Sequence, residues 1–508
     1  MNDGPEPALR EHAVQGVKWS TLQILGSRVV ALVVFVTLAR ILEPTAFGLV
    51  SLGVVYVALM QIFIDQGFSQ AIIQRPVLEP GHLDSAFWSS LVLGGLLTVV
   101  GVVAAGPIAT LLGQPDLAPI LRWLSVSLII SALSSTPEAI LRRELIFRSL
   151  ALRRLVAATA GGSVALAAAF LGYGVWSLVA QLIVQAGVGA VILWIAVPWR
   201  PGFDVSVRYF RDLFSFGSSI VVMNFLNFLN RQSDDLLIGV VLGPRALGYY
   251  SVGYRILLLL TDVMTRTIES VAFPLFSKIQ GDLVRLRRGY LMATQISATI
   301  ATPVFLGVAA LAPELINVAF GPKWDEAVPV MQVLSLIGIL HASLFFNSTV
   351  LIATGQPRKA LLLTGISAIS NVVAFAIAVQ WGIVAVAAAY VIRGYLLSPL
   401  PVLMVQRVID FRIREYVSRF ATPLACSLLM LAAMLLLREA LRPRVSDIVL
   451  IVPVALTGAV VYALAMRYTA ERFTREIVDY LSSASPALAR VLSWRPAWRH
   501  VPLGDPDG

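Results

Sequence analysis

Leu42-Glu43-Pro44-Thr45-Ala46-Phe47-Gly48-Leu49-Val50-Ser51 and Leu242-Gly243-Pro244-Arg245-Ala246-Leu247-Gly248-Tyr249-Tyr250-Ser251 carry Leu, Pro, Ala, Gly and Ser at the same spacing, 200 residues apart. Each stretch lies in a short turn between two long apolar segments. Two further matches follow in the same order: Pro119, Leu124 and Ser125 return as Pro329, Leu334 and Ser335, and the turn at Gly174 returns at Gly382. One coincidence of small residues means little in an apolar chain, but three collinear ones indicate an internal repeat. Six apolar segments separate the copies. Six is even, so both copies face the same way across a bilayer, the parallel-repeat plan of transporters whose halves move about a central site.

Composition agrees with a bilayer setting. Of the 508 residues, 58% are hydrophobic and 13% charged, with a mean hydropathy of +0.82. So few charges cannot cover a water-exposed surface, and an all-α polytopic membrane protein is expected. At roughly 20 apolar residues per crossing, the chain predicts about fourteen transmembrane helices. They begin near residues 15, 46, 84, 117, 151, 174, 214, 246, 290, 328, 359, 382, 417 and 446. The organisation read from them starts with a cytoplasmic tail (1–13) and an N-lobe of six helices (14–198). A cytoplasmic linker (199–212) leads to a C-lobe of six helices (213–405). Two additional helices (406–468) and a cytoplasmic tail (469–508) complete the chain, the tail reading as an amphipathic interfacial helix with a Pro-rich end. The N-terminus through Trp19 lacks the pattern of a cleaved signal, so the first apolar segment is expected to be retained.

Orientation follows from the basic residues. Even-numbered loops hold clusters such as Arg142, Arg143, Arg148, Arg153 and Arg154, or Lys278, Arg285, Arg287 and Arg288, whereas odd loops through the eleventh hold only Arg40, Arg245 and Lys323. Both termini are therefore expected on the cytoplasmic side of the membrane. The loop around Arg438, Arg442 and Arg444, in the last hairpin, departs from this pattern.

Several function classes are disfavoured. The net charge of +10 reads as a topology signal and an attraction to anionic lipid headgroups, not as nucleic-acid binding. Cys426 is the single cysteine, and His12, His82, His341 and His500 are widely scattered, so disulfides, metals and cofactors are not expected. No glycine-rich loop followed by Lys and Ser or Thr occurs, which disfavours an ATP-driven pump. No loop is long enough for an enzymatic domain, and the single Asp-x-Asp, Asp505 to Asp507, lies in the terminal tail. A polysaccharide polymerase or glycosyltransferase is thereby disfavoured.

Ionisable groups at membrane depth cost about 2.5 to 3.5 kcal/mol on insertion scales and so mark candidate sites. In the seventh span Asn224, Asn227, Arg231 and Asp234 are spaced three, four and three, one face of a helix, with Asn230 and Asp235 flanking it. In the eighth span Ser251, Arg255, Asp262, Arg266 and Glu269 form another face. The matching first-half positions, Ser51, Val55, Ile62, Gln66 and Ser69, carry almost no charge. Arg393 lies at depth in the twelfth span, where the sixth has Gln185, and Arg28 lies in the first. Arg28, Asn224, Asn227, Arg231, Arg255, Arg266 and Arg393 are the candidate substrate-binding residues; Asp234, Asp235 and Asp262 are candidates for ion coupling. Arginine suits phosphate through its bidentate fork and permanent charge. For Arg231 and Arg266 a second reading stands beside it, internal ion pairs with Asp234 or Asp235 and with Asp262 or Glu269. A cation or drug antiporter would need an acidic pocket, which the Arg set opposes.

The run from Gly16 to Ser51, with Ala39-Arg40-Ile41-Leu42, resembles the opening of bacterial polysaccharide-transport proteins. So do Asp235-Leu236-Leu237-Ile238-Gly239, the Gly321-Pro322-Lys323-Trp324 turn and Thr354-Gly355-Gln356-Pro357. The resemblance, over roughly residues 14 to 440, is to Wzx-type lipid-linked oligosaccharide flippases of the multidrug, oligosaccharidyl-lipid and polysaccharide exporter superfamily. It implies two six-helix lobes, alternating access, and transfer of an undecaprenyl-diphosphate-linked oligosaccharide for O-antigen, exopolysaccharide or capsule synthesis. It also implies a cationic cavity, with Arg28, Arg231 and Arg255 in spans where such proteins use charge. The partners expected are membrane lipids, the lipid-linked glycan, a polysaccharide polymerase and glycosyltransferases.

Overall fold

Proline and glycine punctuate this chain where the turns must form. In the computed structural model, which describes residues 26, 29–278 and 281–469 without the side chains of 262–278 and 342–343, every element is helical among the described residues. The start of the first span, the side chains of Arg28, Asp262, Arg266 and Glu269, and the tail lie outside the described residues.

The first described helix is α1 (Val29–Ile41). It is followed by α2 (Pro44–Asp65), a short α3 (Phe68–Gln74), α4 (Pro80–Leu111), α5 (Leu117–Arg143), α6 (Phe147–Phe170) and α7 (Val175–Ala196). The chain then continues through α8 (Val207–Val241), α9 (Pro244–Lys278), α10 (Leu283–Phe320), α11 (Ala327–Ala353) and α12 (Pro357–Ala378). It closes with α13 (Ile383–Leu397), α14 (Pro399–Ile409), α15 (Ile413–Leu441) and α16 (Asp447–Thr469). Among the described residues, 12 helical segments are long and apolar enough to cross a membrane, α13 and α14 counting as one segment. Helices α1 and α9 are outside that number: α1 is short as described, and α9 carries Arg255, Asp262, Arg266 and Glu269. The protein is a multi-pass, all-helical membrane protein.

Three boundaries differ from the sequence expectation. Helix α8 begins at Val207, inside the stretch read as linker, because Ser206 caps it by accepting from the Arg208 amide at 3.2 Å. Helix α3 fills part of the second loop. The twelfth span is two helices, because Pro399 has no amide proton to continue the ladder.

The repeat recurs in the packing. Gly53 on α2 faces Ile120 on α5, and Gly253 on α9 faces Val330 on α11; a Cβ would lie 3.4 Å from the first and 3.2 Å from the second. Ser125 and Ser335 each donate to the carbonyl four residues earlier, at 2.7 Å in both. Gly174 and Gly382 each turn the chain with positive φ, 55° and 96°, which a side chain would strain.

The two copies meet through the opening motif. A Cβ at Gly48 would occupy the Pro244 carbonyl, and a Cβ at Gly248 would occupy that of Pro44. Helices α2 and α9 thus cross at their first turns, each glycine admitting the other copy's backbone. Successive helices fold back through short turns, so this crossing defines one end of the bundle. The Arg-rich loops fall at the other, the basic end.

Candidate functional site

Beneath the crossing lies a cavity of about 890 Å³, walled by α1, α2, α7, α8, α9 and α11, with Ala158 of α6 and Tyr390 of α13. Its charged lining residues are Arg231, Asp235 and Arg255, joined by His341 and by amides including Gln181, Gln185 and Asn230. On α9 the lining residues Ser251, Tyr254, Arg255, Leu258 and Thr261 keep helical spacing and run about 15 Å along the axis. The equivalent stripe on α2 is Phe47, Val50, Ser51 and Val54. Ser51 and Ser251 both line the cavity, whereas Val55 is buried in the core and Arg255 faces the open space.

The crossing end is sealed by reciprocal caps. Arg40, near the end of α1, donates to the last-turn carbonyls of α10, Ala319 at 2.8 Å and Val318. Lys323, just past α10, returns the contact by donating to the carbonyls of Arg40 at 3.0 Å and Leu42 at 2.8 Å. Each cation sits on the negative end of the other helix. Between them Trp324, fully buried, donates through Nε1 to the Ala39 carbonyl at 2.9 Å. Its ring meets Phe47 edge-on at 5.4 Å and Tyr249 at 6.0 Å, and Phe35 meets both Phe47 and Phe320.

Arg255 reaches this seal from the cavity side: its guanidinium carbon lies 5.3 Å from the Phe35 ring centroid, a cation–π arrangement. Among the described residues no carboxylate lies within 4.0 Å of Arg255 or Arg231. The ion pairs of Arg231 with Asp234 or Asp235 allowed by the sequence spacing are therefore not formed. Both guanidiniums keep donors for an anion, each having five N–H groups in a planar fork.

The other candidates separate. Asp235 lines the cavity, with Oδ1 buried and without a hydrogen-bond partner. Asp234, 3% exposed, lies behind it and accepts from the Tyr250 hydroxyl at 2.8 Å. Arg393 is not among the lining residues; its guanidinium lies over the Tyr390 ring at 5.4 Å. At that repeat position it is Gln185 of the first half that lines the cavity. Asn224 and Asn227 are half-buried outside the lining, further toward the basic end, while their neighbour Asn230 lines it and accepts from Asn371 Nδ2 at 2.6 Å.

Sequence reasoning missed the aromatic and imidazole groups. Tyr390 approaches His341 Nε2 at 3.3 Å through its hydroxyl, and Tyr254 packs edge-on against Tyr390 at 6.4 Å. The spacing of Tyr254, three residues after Ser251 on the charged stripe, was a usable signal. His341 and Asn371 had none, since each stands alone in an apolar run.

Residues 37–329 match the family model described as "Polysaccharide biosynthesis protein". The chain is 27% identical over 371 residues, 71% of its length and 77% of the other's, to the teichuronic acid biosynthesis protein TuaB of Bacillus subtilis (strain 168). It is 27% identical over 341 residues, 66% of its length and 68% of the other's, to the lipopolysaccharide biosynthesis protein WzxC of Escherichia coli (strain K12). Its fold is that of the lipid II flippase MurJ in an inward closed conformation, with a TM-score of 0.75 at 15% identity, covering 90% of this chain and 99% of that one. The resemblance carried by the turn motifs is borne out. With more than half its length matched by the family model, the chain belongs to the polysaccharide biosynthesis protein family.

Proposed function

We propose that the protein is a flippase that carries a polyprenyl-diphosphate-linked oligosaccharide repeat unit across the bacterial inner membrane for surface polysaccharide synthesis. The observation that carries this reading is the pair Arg231 and Arg255, both facing the cavity and neither within 4.0 Å of a carboxylate among the described residues. The diphosphate would enter the two guanidinium forks, and the amides Gln181, Gln185 and Asn230 would meet sugar hydroxyls. The polyprenyl tail stays in the bilayer, because each CH₂ moved into a polar cavity would cost about 0.8 kcal/mol.

The basic end and both termini are assigned to the cytoplasm on the positive-inside rule. On that assignment the cavity lies on the cytoplasmic side of the Gly48–Gly248 crossing, ready to load. Helices α1 and α9 are taken as crossing with the other 12, giving two six-helix lobes (14–198 and 213–405) and an added pair. Alternating access then consists of parting the crossing while the basic end closes. Asp234 and Asp235, with no guanidinium within 4.0 Å among the described residues, are the candidates for a coupling cation; Asp262, Arg28 and Arg266 keep the roles expected from their spans. A cationic cargo is disfavoured because Asp235 stands against two arginines in the lining.

Replacing Arg255 by Ala is expected to stop surface polysaccharide export while the protein stays in the membrane at normal level. Arg255→Lys, which keeps the charge and loses the fork, should restore export in part. Normal export by Arg255→Ala would remove the anion site from the account.

A further inference from the structure

A second cavity, about 380 Å³, lies away from the central one, at the basic end of the seam between α10 and α15. Its lining brings together Arg287, Arg288 and Arg419 with one carboxylate, Glu415. Arg419 is steadied by Gln295, donating to Oε1 at 2.7 Å, and lies 3.8 Å from Glu415. Arg287 donates to the Asp410 carbonyl at 3.2 Å. No carboxylate lies within 4.0 Å of Arg287 or Arg288 among the described residues. Three guanidiniums are thus gathered around one cavity with most of their donors uncommitted.

Depth and surroundings say what kind of anion fits. Helix α10 has 38 residues; at 1.5 Å each it spans about 57 Å, against a hydrocarbon core of about 30 Å. Arg287 and Arg288, in its second turn, therefore fall at headgroup level. At the cavity itself apolar side chains lie open beside the arginines: Val284 and Met292 on α10 are 66% and 37% exposed. A soluble phosphate would use only the arginines. A phospholipid would also cover Val284 and Met292, and basic pockets between membrane helices are sites for anionic headgroups.

We propose that this cavity holds the phosphate headgroup of an anionic membrane phospholipid. The site is separate from the transport cavity and does not depend on what that cavity carries. Bound there, the lipid bridges the added helix α15 to α10.

Native mass spectrometry of the full-length protein, delipidated in detergent and titrated with phosphatidylglycerol or phosphatidylcholine, tests this. Wild type is expected to bind one phosphatidylglycerol roughly tenfold more tightly than phosphatidylcholine. Arg288→Gln with Arg419→Gln should bring the two within about twofold, while Arg285→Gln, whose partner is Asp282, should leave the preference intact. If the double variant does not fold, Arg288→Gln alone, an exposed side chain, should show a smaller loss in the same direction. Equal binding of the two lipids by wild type, or an unchanged preference in a folded variant, overturns the proposal. Displacement of the lipid by glycerol phosphate at the lipid's own dissociation constant also overturns it, by showing a soluble-phosphate site.

Discussion

The Arg255 guanidinium lies 5.3 Å from the ring of Phe35, which itself packs edge-on against Phe47 and Phe320. The residue proposed to hold the cargo's charge therefore touches the aromatic cluster that seals the crossing end. An anion that draws Arg255 off Phe35 would loosen one contact of the seal, giving loading a route to opening. Cation–π pairs are worth about 0.5–2 kcal/mol, enough to bias a two-state gate without locking it.

The crossing should be sensitive to a single methyl group. In a background without Cys426, a cysteine replacing Phe47 is expected to react slowly with a membrane-impermeant maleimide applied from outside the cell. Adding Gly48→Ala, whose Cβ would displace the Pro244 backbone, should speed labelling by several-fold or more, since overpacked contacts cost about 1–3 kcal/mol. Gly248→Ala should do the same against Pro44. Unchanged labelling in both would mean that the crossing is not the closed gate.

Trp324 separates packing from hydrogen bonding in the seal. Trp324→Ala empties a fully buried site, and the loss is expected near 3–5 kcal/mol. Trp324→Phe keeps most of the aromatic contact and loses the bond to the Ala39 carbonyl, so about 1 kcal/mol is expected. Thermal midpoints of the purified variants in one detergent check the order; a larger loss for Phe than for Ala would contradict it.

Asp234 and Asp235 are expected to carry the coupling. Asp234→Asn keeps an acceptor for the Tyr250 hydroxyl and removes the charge, so transport should persist at a reduced rate and lose its dependence on the ion gradient. Retained dependence in Asp234→Asn excludes that residue, and retained dependence in both Asp234→Asn and Asp235→Asn excludes the pair.

The repeat was legible because Pro44 and Gly48 are demanded by backbone geometry, a helix start and a close crossing, and such demands leave the same residue types in both copies. The start of the eighth span's polar face was legible from spacing: Ser251 and Arg255 share one face, and both line the cavity, while the side chains of Asp262, Arg266 and Glu269 lie outside the described residues. Rotation of whole helices was not legible. Arg393 meets every sequence criterion for a lining residue, yet it lies over the Tyr390 ring and Tyr390 lines the cavity instead; Asn224 and Asn227 share a helix face with Arg231 but lie outside the cavity. Helical spacing fixes which residues share a face, while the position of that face relative to distant helices is set by packing. The seal was hidden for the same reason, since Arg40 and Lys323 are about 280 residues apart and meet only because α1 and α10 end together.

The most direct measurement of the central claim is translocation in proteoliposomes of a fluorescent, polyprenyl-diphosphate-linked oligosaccharide, followed as quenching of label in the outer leaflet. Wild type is expected to bring nearly all the label within reach of the quencher, whereas Arg255→Ala, reconstituted at equal density, should leave about half protected, as in protein-free vesicles. Equal rates for Arg255→Ala and wild type, or no translocation by wild type at all, would contradict the account.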